Sequence, residues 1–299
     1  MKISITGSSG FVGQNLLAYL KNNFECNTVS RSDLNSNSLS LKGADVVIHL
    51  AGKAHDMKNI ADPNEYYQVN SELTKHLYDN FLRSDAKKFI FISSVKSVAD
   101  QVEGVLTENH KPNPQTDYGK SKLMAEVYIQ NQTLPKGKSF YILRPCMIHG
   151  PGNRGNLNLL YKFVKKGIPY PLAAFNNKRS FLSIENLCFI IKEIIEGNCS
   201  DSGIYNVSDD EALSTNIVVT ILASSLNVKA RLWRIPINII KFVAKLGDWF
   251  NLPLTSERLS KLTESYIVSN EKIKDALNKK LPLTSIKGLE ITANSFNKD

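Results

Sequence analysis

The chain has 299 residues, 42% of them hydrophobic and 22% charged, with a formal net charge of +9. Those proportions fit a globular α/β protein of one large domain, or one domain with a smaller appendage, and exclude a disordered or fibrous chain. The basic residues are scattered, with pairs such as Lys87-Lys88 and Lys165-Lys166 as the densest clusters, so a nucleic-acid-binding tail is excluded.

In chain order, a strand over 2–6 (KISIT) runs into TGSSGFVG, and a 3.6-period helix follows from Phe11 to Leu20. Gly7, Gly10 and Gly13 therefore stand between a strand and a helix at G-x-x-G-x-x-G spacing. Gly7 permits the tight turn, Gly10 lets the backbone approach a pyrophosphate, and Gly13 lets helix and strand pack closely. The amides of Phe11, Val12 and Gly13 at the helix N-terminus then favour an anion. The spacing predicts dinucleotide binding.

A second strand over 27–30 ends at VSRSD. In such folds, the residue at this tip reads the adenosine ribose. A basic side chain pairs with a 2′-phosphate and an acid accepts from a 2′-hydroxyl. Ser30 and Arg31 at the tip favour NADP(H), and Asp33 keeps NAD open. Strands over 45–50, 88–93 and 140–145, with helices from Tyr66 to Leu82 and Tyr118 to Gln130 between them, continue the alternation. That pattern predicts parallel strands joined by helical crossovers, the doubly wound α/β class.

Before the last of these helices stands TDYGKSK, which sets Tyr118 four residues before Lys122. On a helix, these two side chains share one face. A phenol near pKa 10 is a poor base at neutral pH, and an adjacent ammonium lowers it by roughly one to three units. The pair is also compatible with a solvated helix surface, so the surrounding motifs decide its meaning.

After Gly150 the alternation loosens, and one strand over 203–207 returns to the sheet. The expected division is 1–152 plus about 180–210 for the cofactor-binding domain, and about 153–179 plus 211–299 for a smaller mixed α/β substrate domain. The apolar stretch Ile235 to Phe250 is interrupted by Lys241, Lys245 and Asp248, so it is too short and too charged to span a bilayer. It is expected to be a core-facing amphipathic helix, with a membrane-surface helix or a dimer face as alternatives. Cys26, Cys146, Cys188 and Cys199 lack C-x-x-C spacing and a histidine partner at metal-site intervals. With no signal-peptide pattern at the N-terminus, they are expected to be reduced thiols of a cytoplasmic protein without a metal site.

The glycine loop, HLAG (49–52), YYQVN (66–70), FISSVKS with Ser93 and Ser94, TENHKPNP, DYGKSK and LRPCMIHGPG (143–152) occur in that order. On these motifs, covering roughly residues 1 to 210, the chain resembles the extended short-chain dehydrogenase/reductase family, whose fold is a Rossmann sheet. The resemblance implies that Tyr118 is the acid/base and that Lys122 lowers its pKa and holds the nicotinamide ribose. It implies that Ser94 polarises the substrate oxygen, with Ser93 as the alternative if the strand register shifts by one. Leu50, Ala51, Gly52 and Asn70 are placed beside the cofactor. The segment 155–187 resembles a nucleotide-sugar-binding segment, in which Asn158 and Arg179 face the substrate and Arg179 meets the diphosphate.

The resemblance is nearest to bacterial enzymes acting on UDP-activated 2-acetamido sugars for surface polysaccharides, which include 4-epimerases and 4-ketoreductases. Val95 and Lys96 follow Ser94, where sugar-nucleotide 4,6-dehydratases carry Asp-Glu, so a dehydratase is not expected. His149-Gly150 replaces the frequent Tyr-Gly and leaves the shape of the nicotinamide pocket open. Arg31 tilts the expectation to an NADP(H)-dependent reductase, with an epimerase holding NAD as the alternative. A cofactor-binding scaffold without turnover is disfavoured by the intact Ser94, Tyr118 and Lys122. The helices containing Tyr66 and Tyr118 offer a face for a homodimer.

Overall fold

In the computed structural model, a six-stranded sheet runs in the order β2-β1-β3-β4-β6-β9, every pair parallel. The structure describes residues 1–34, 36, 41–53, 62–153, 155–199, 201–250 and 254–297. The sheet and its crossovers comprise β1 (Lys2–Thr6), α1 (Phe11–Leu20), β2 (Glu25–Val29), α2 (Arg31–Leu34), β3 (Val46–His49) and α3 (Pro63–Tyr66). They continue through a π-helical turn (Tyr67–Glu72), α4 (Leu73–Arg83), β4 (Lys88–Ile92), a 3-10 turn (Val95–Ser97), β5 (Val105–Leu106), α5 (Asp117–Asn131) and β6 (Ser139–Pro145). The rest of the chain contributes β7 (Met147–His149), α6 (Asn156–Lys165), β8 (Phe181–Ser183), α7 (Ile184–Glu196), β9 (Gly203–Val207) and α8 (Thr215–Ser225). The chain ends with α9 (Ile237–Phe250), α10 (Ser256–Thr263), β10 (Ile267–Val268), α11 (Glu271–Leu277) and α12 (Ser285–Ser295).

Successive strand residues point to opposite faces, and both faces are covered. Ile48, Ile90 and Leu143 pack with α1 and α7, through Leu16, Leu187 and Ile191. Val47, Phe89, Phe91 and Ile142 pack on the other side with Leu77, Phe81, Ala125 and Ile129 from α4 and α5. Burial on both faces explains why the inner strands are near-continuous apolar runs, as parallel sheets require, while β2 at the sheet edge is exposed and largely polar. A third cluster joins α6, α8, α9, α10 and α12 through Leu157, Tyr161, Val218, Leu222, Ile240, Leu259 and Leu289. Two short parallel pairs, β5 with β10 and β7 with β8, lie outside the main sheet. The doubly wound Rossmann class expected from the alternation is the observed fold.

Chain order reverses across the sheet at β1, with β2 on one side and β3 on the other. In open parallel sheets, ligands bind at such a reversal, beyond the carboxyl ends of the strands. Two elements differ from expectation. The single helix expected over 66–82 begins at Pro63 and contains the π-helical turn, which carries Asn70. The expectation that Ile235–Phe250 faces the core holds along one face only: Ile240, Ala244 and Gly247 of α9 are buried, while Phe242, Trp249 and Phe250 are exposed.

Candidate functional site

The carboxyl edge of the sheet gathers the loops after β1, β2, β3 and β4. Gly7 has φ +68, and a Cβ there would meet the backbone of Leu50 and Ala51 at 2.5–2.8 Å. A Cβ on Gly13 would run into Gly7 O and stand 2.6 Å from Ser8 Cα. Both positions need glycine because of the fold. Gly10 differs, since its Cβ would meet only Gly7 O, at an ordinary 3.4 Å. Packing therefore does not demand glycine at position 10, and the side left open is the one a close-approaching ligand would use. Gly10 is the N-cap of α1 with no side-chain cap, and no acid stands in the first turn, so the leading amides suit an anion.

At the end of β2, Ser30 and Arg31 are both exposed. The Asp33 carboxylate accepts from the Ser30 hydroxyl at 2.6 Å and the Ser30 amide at 3.0 Å. The Ser30 hydroxyl bond, with the amide bond behind it, lowers the Asp33 pKa. This acid closes the turn into α2, and Arg31 is the basic side chain beside the tip.

The loop after β3 is held by a polar relay. Thr74 Oγ1 donates to Asn70 O at 2.8 Å, so it must accept from His49 Nε2 at 2.9 Å. His49 Nδ1 then accepts from Thr6 Oγ1 at 2.7 Å, and Thr6 Oγ1 accepts the Ala51 amide at 3.1 Å. Each proton has one place in this chain, which requires a neutral imidazole. Burial, reinforced by the charge on Lys122, pushes the His49 pKa down to about 3, in agreement. Asn70, fully buried in the π-helical turn, accepts from the Lys53 amide at 2.8 Å and donates to Ser121 Oγ at 3.1 Å. It thereby ties the β3 loop to α5. A Cβ on Gly52 would stand 3.0 Å from Asn70 Oδ1 and 3.1 Å from Lys122 Nζ, so these three residues meet.

Helix α5 starts where the sequence requires. Thr116 caps it by accepting from the Gly119 amide at 3.2 Å, and Asp100 accepts the Gln115 amide at 2.8 Å. A Cβ on Gly119 would collide with Lys96 O, so the helix start lies directly against the turn after Ser94. Tyr67 Oη donates to Asp117 Oδ1 at 2.8 Å and fastens the π-helical turn to the same end. These contacts bring Tyr118 beside Ser94, whose hydroxyl acts on the phenol. Burial raises the Tyr118 pKa, and the nearby Ser94 hydroxyl acts against that rise. The expected lowering by Lys122 is not what this geometry produces. The Lys122 ammonium donates to Ile92 O at 2.9 Å and lies 4.8 Å over the Phe91 ring. Burial brings the Lys122 pKa down to about 8, and the Glu126 carboxylate opposes the fall.

Ser93 and Ser94 separate cleanly. Ser93 Oγ donates to Glu126, as does Ser97 Oγ at 2.7 Å. Glu126 in turn pairs with Arg144 through Nε and Nη2, at 3.1 and 2.5 Å, with both side chains buried. Ser93 thus belongs to the scaffold below the site, and Ser94 faces Tyr118. Glu126 and Arg144 are residues that sequence reasoning missed. The available signal was Glu126 one further turn along the Tyr118–Lys122 stripe.

The substrate-side expectations lie apart. Asn158 is the third residue of α6 and half-buried. Arg179 turns its guanidinium to the end of α10, donating to Lys261 O and to Glu264 O at 3.3 Å, with the Glu264 carboxylate 3.7 Å away. In this arrangement it caps a helix C-terminus. Tyr266, whose backbone bridges to Arg179, donates to Ala99 O at 2.7 Å, and Lys96 Nζ lies 4.6 Å over its ring. This links the Arg179 region to the turn that follows Ser94. His149 is buried, bonds Thr292 Oγ1 at 2.8 Å and connects β7 to α12.

The family model described as the NAD dependent epimerase/dehydratase family matches residues 3–208. The chain is 32% identical to a UDP-glucose 4-epimerase of Vibrio cholerae, over 98% of this chain and 95% of that protein. It is 28% identical to the N-acetyl-alpha-D-glucosaminyl-diphospho-ditrans,octacis-undecaprenol 4-epimerase of Escherichia coli O157:H7, over 91% and 84%. Among solved structures, RMD from Pseudomonas aeruginosa complexed with NADPH superposes with a TM-score of 0.77 at 21% identity. That match covers 100% of this chain and 99% of the other.

Proposed function

Because the chain belongs to the NAD dependent epimerase/dehydratase family, as an enzyme of its epimerase and reductase branch, we propose that it is a C4 ketoreductase. Its substrate in this reading is a UDP-4-keto-6-deoxy-2-acetamido sugar, and its product serves surface polysaccharide synthesis. The observation that carries C4 redox chemistry is the Ser94–Tyr118 hydroxyl pair, with Lys122 one turn below, at the carboxyl edge of the sheet. A nicotinamide cofactor held here would supply hydride chemistry at C4. Tyr118 gives its proton to the C4 oxygen as the carbonyl becomes an alcohol, and Ser94 donates a hydrogen bond to that oxygen as charge develops. The Lys122 ammonium would hold the nicotinamide ribose. The open face at Gly10 and the amides of Phe11, Val12 and Gly13 would take the pyrophosphate. Ser30 and Arg31 would take the adenosine ribose, and Leu50, Ala51, Gly52 and Asn70 would line the far side of the cofactor. Asn158 and Arg179 are proposed to face the nucleotide sugar. Val95 and Lys96, next to Ser94, offer no carboxylate for eliminating water, which supports a reaction other than dehydration.

The reductase reading rests on the tip of β2. Asp33, the acid that would suit a free 2′-hydroxyl, is fastened to Ser30, which supports a 2′-phosphate on Arg31 and so NADPH. The Vibrio relative favours a second reading, a 4-epimerase with tightly held NAD. The two are separated by incubating the purified protein with NADPH and the 4-keto sugar nucleotide, and in parallel with UDP-GlcNAc alone. Stoichiometric NADPH oxidation in the first, and no change in the second, is expected. Conversion of UDP-GlcNAc to its C4 epimer without net cofactor use would overturn the reductase. Repeating both arms with the sugar on polyprenyl diphosphate, the carrier in the name of the Escherichia coli relative, tests the carrier as well.

A further inference from the structure

Helix α9 has two apolar faces, and the protein covers one. Ile240, Ala244 and Gly247 turn inward, with Ile240 and Ala244 in the cluster that includes Leu259 of α10. Ile239, Phe242, Val243, Leu246, Trp249 and Phe250, spaced i, i+3, i+4, i+7, i+10 and i+11, form a second stripe. Its exposed members include Ile239 at 54%, Phe242 at 63%, Phe250 at 68% and Trp249 at 85%. The chain has two tryptophans, and the other, Trp233 on the segment leading into α9, is 57% exposed. Tryptophan is normally among the most buried side chains on average, so exposing both is informative.

A strip carrying Lys241 and Lys245 runs along one border of this exposed stripe. From Arg231 to Phe250 the chain has four basic side chains, Arg231, Arg234, Lys241 and Lys245, and one acid, Asp248. Asp248 accepts the Ser256 amide at 2.9 Å and is thereby tied to α10. Exposed Trp and Phe bordered by lysines is the chemistry of a helix lying in the headgroup layer of an anionic bilayer. A two-fold pairing of this face with a second copy fits less well, because it would bring two sets of Lys241 and Lys245 to one apolar seam. No helix among the described residues is long and apolar enough to cross a membrane, so the contact would be peripheral.

We propose that α9, with Trp233, docks the protein onto an anionic phospholipid surface. The inference stands whether the enzyme is a reductase or an epimerase. The α10 helix beside α9 carries the carbonyl of Lys261 that holds Arg179, so docking would place the proposed substrate lobe at the membrane. The test is sedimentation of the full chain with vesicles of phosphatidylglycerol and phosphatidylcholine, compared with phosphatidylcholine alone, while following tryptophan emission. Wild type should sediment with the anionic vesicles and shift its emission to the blue. Combined Phe242→Ser, Trp249→Ser and Phe250→Ser should abolish sedimentation with an unchanged thermal melt. Lys241→Ala with Lys245→Ala should weaken partitioning by about twenty- to thirtyfold, from roughly fivefold per basic residue. Absence of vesicle binding by wild type, or equal binding by wild type and the triple variant, would overturn the proposal. A wild-type dimer that the triple variant converts to monomer, without vesicle binding, would assign the face to a second copy and overturn it too.

Discussion

Lys122→Met removes a buried ammonium while keeping much of the side chain's length and its apolar stem. Holding that ammonium at about 8 instead of 10.5 costs the folded protein about 3 kcal/mol, since each tenfold change in proton affinity is ~1.36 kcal/mol. The cost applies in full below pH 8. Between about 8 and 10.5 the unfolded chain holds a proton that the folded chain has released, so wild-type stability rises with pH through this window. Above 10.5 both states are neutral at this position and the cost is gone. Methionine also loses the bond to Ile92 O, and an unsatisfied carbonyl costs about 1–3 kcal/mol at any pH. At pH 7 the variant should therefore be as stable as wild type or up to about 2 kcal/mol more stable. Relative to wild type, it should lose about 3 kcal/mol between pH 7 and pH 10.5, and the lost contact cancels in that difference. Paired urea unfolding at the two pH values measures it, alongside turnover, which the variant should lose. A stability difference that does not change with pH would refute the reasoning.

Tyr118→Phe should lower turnover by roughly a hundred- to ten-thousandfold with cofactor affinity unchanged, measured by steady-state kinetics and NAD(P)H fluorescence titration. Near-wild-type turnover would remove Tyr118 from the chemistry. Gly10→Ala should leave the thermal melt unchanged and weaken cofactor binding, whereas Gly13→Ala should lower the melting temperature, because its Cβ meets backbone. Equal melting losses in both would remove the case for a ligand at Gly10. Arg179→Ala should weaken UDP binding by about ten- to a hundredfold in calorimetry. If UDP affinity is retained while the melt falls, Arg179 serves only to cap α10.

Much of this protein is determined locally. The parallel sheet is legible because its inner strands are buried on both faces, so β3 and β4 are written as largely apolar runs. The glycine turn is legible because Gly7 takes a positive φ in the turn itself and Gly13 packs against Gly7 and Ser8, only a few residues away. Tyr118 and Lys122 share a face through helix periodicity alone. Where separate elements must meet, the sequence is silent. The choice of Ser94 over Ser93 depended on which hydroxyl the Glu126–Arg144 pair captured, across elements 18 to 33 residues apart. The Thr6–His49–Thr74 relay joins residues 43 and 25 positions apart, and its proton order follows only from three-dimensional partners. The direction of the Tyr118 pKa depended on burial and on where Lys122 pointed, neither of which a four-residue spacing encodes. Helix α9 shows the same limit, since periodicity marks an apolar stripe and only packing decides which stripe the protein covers.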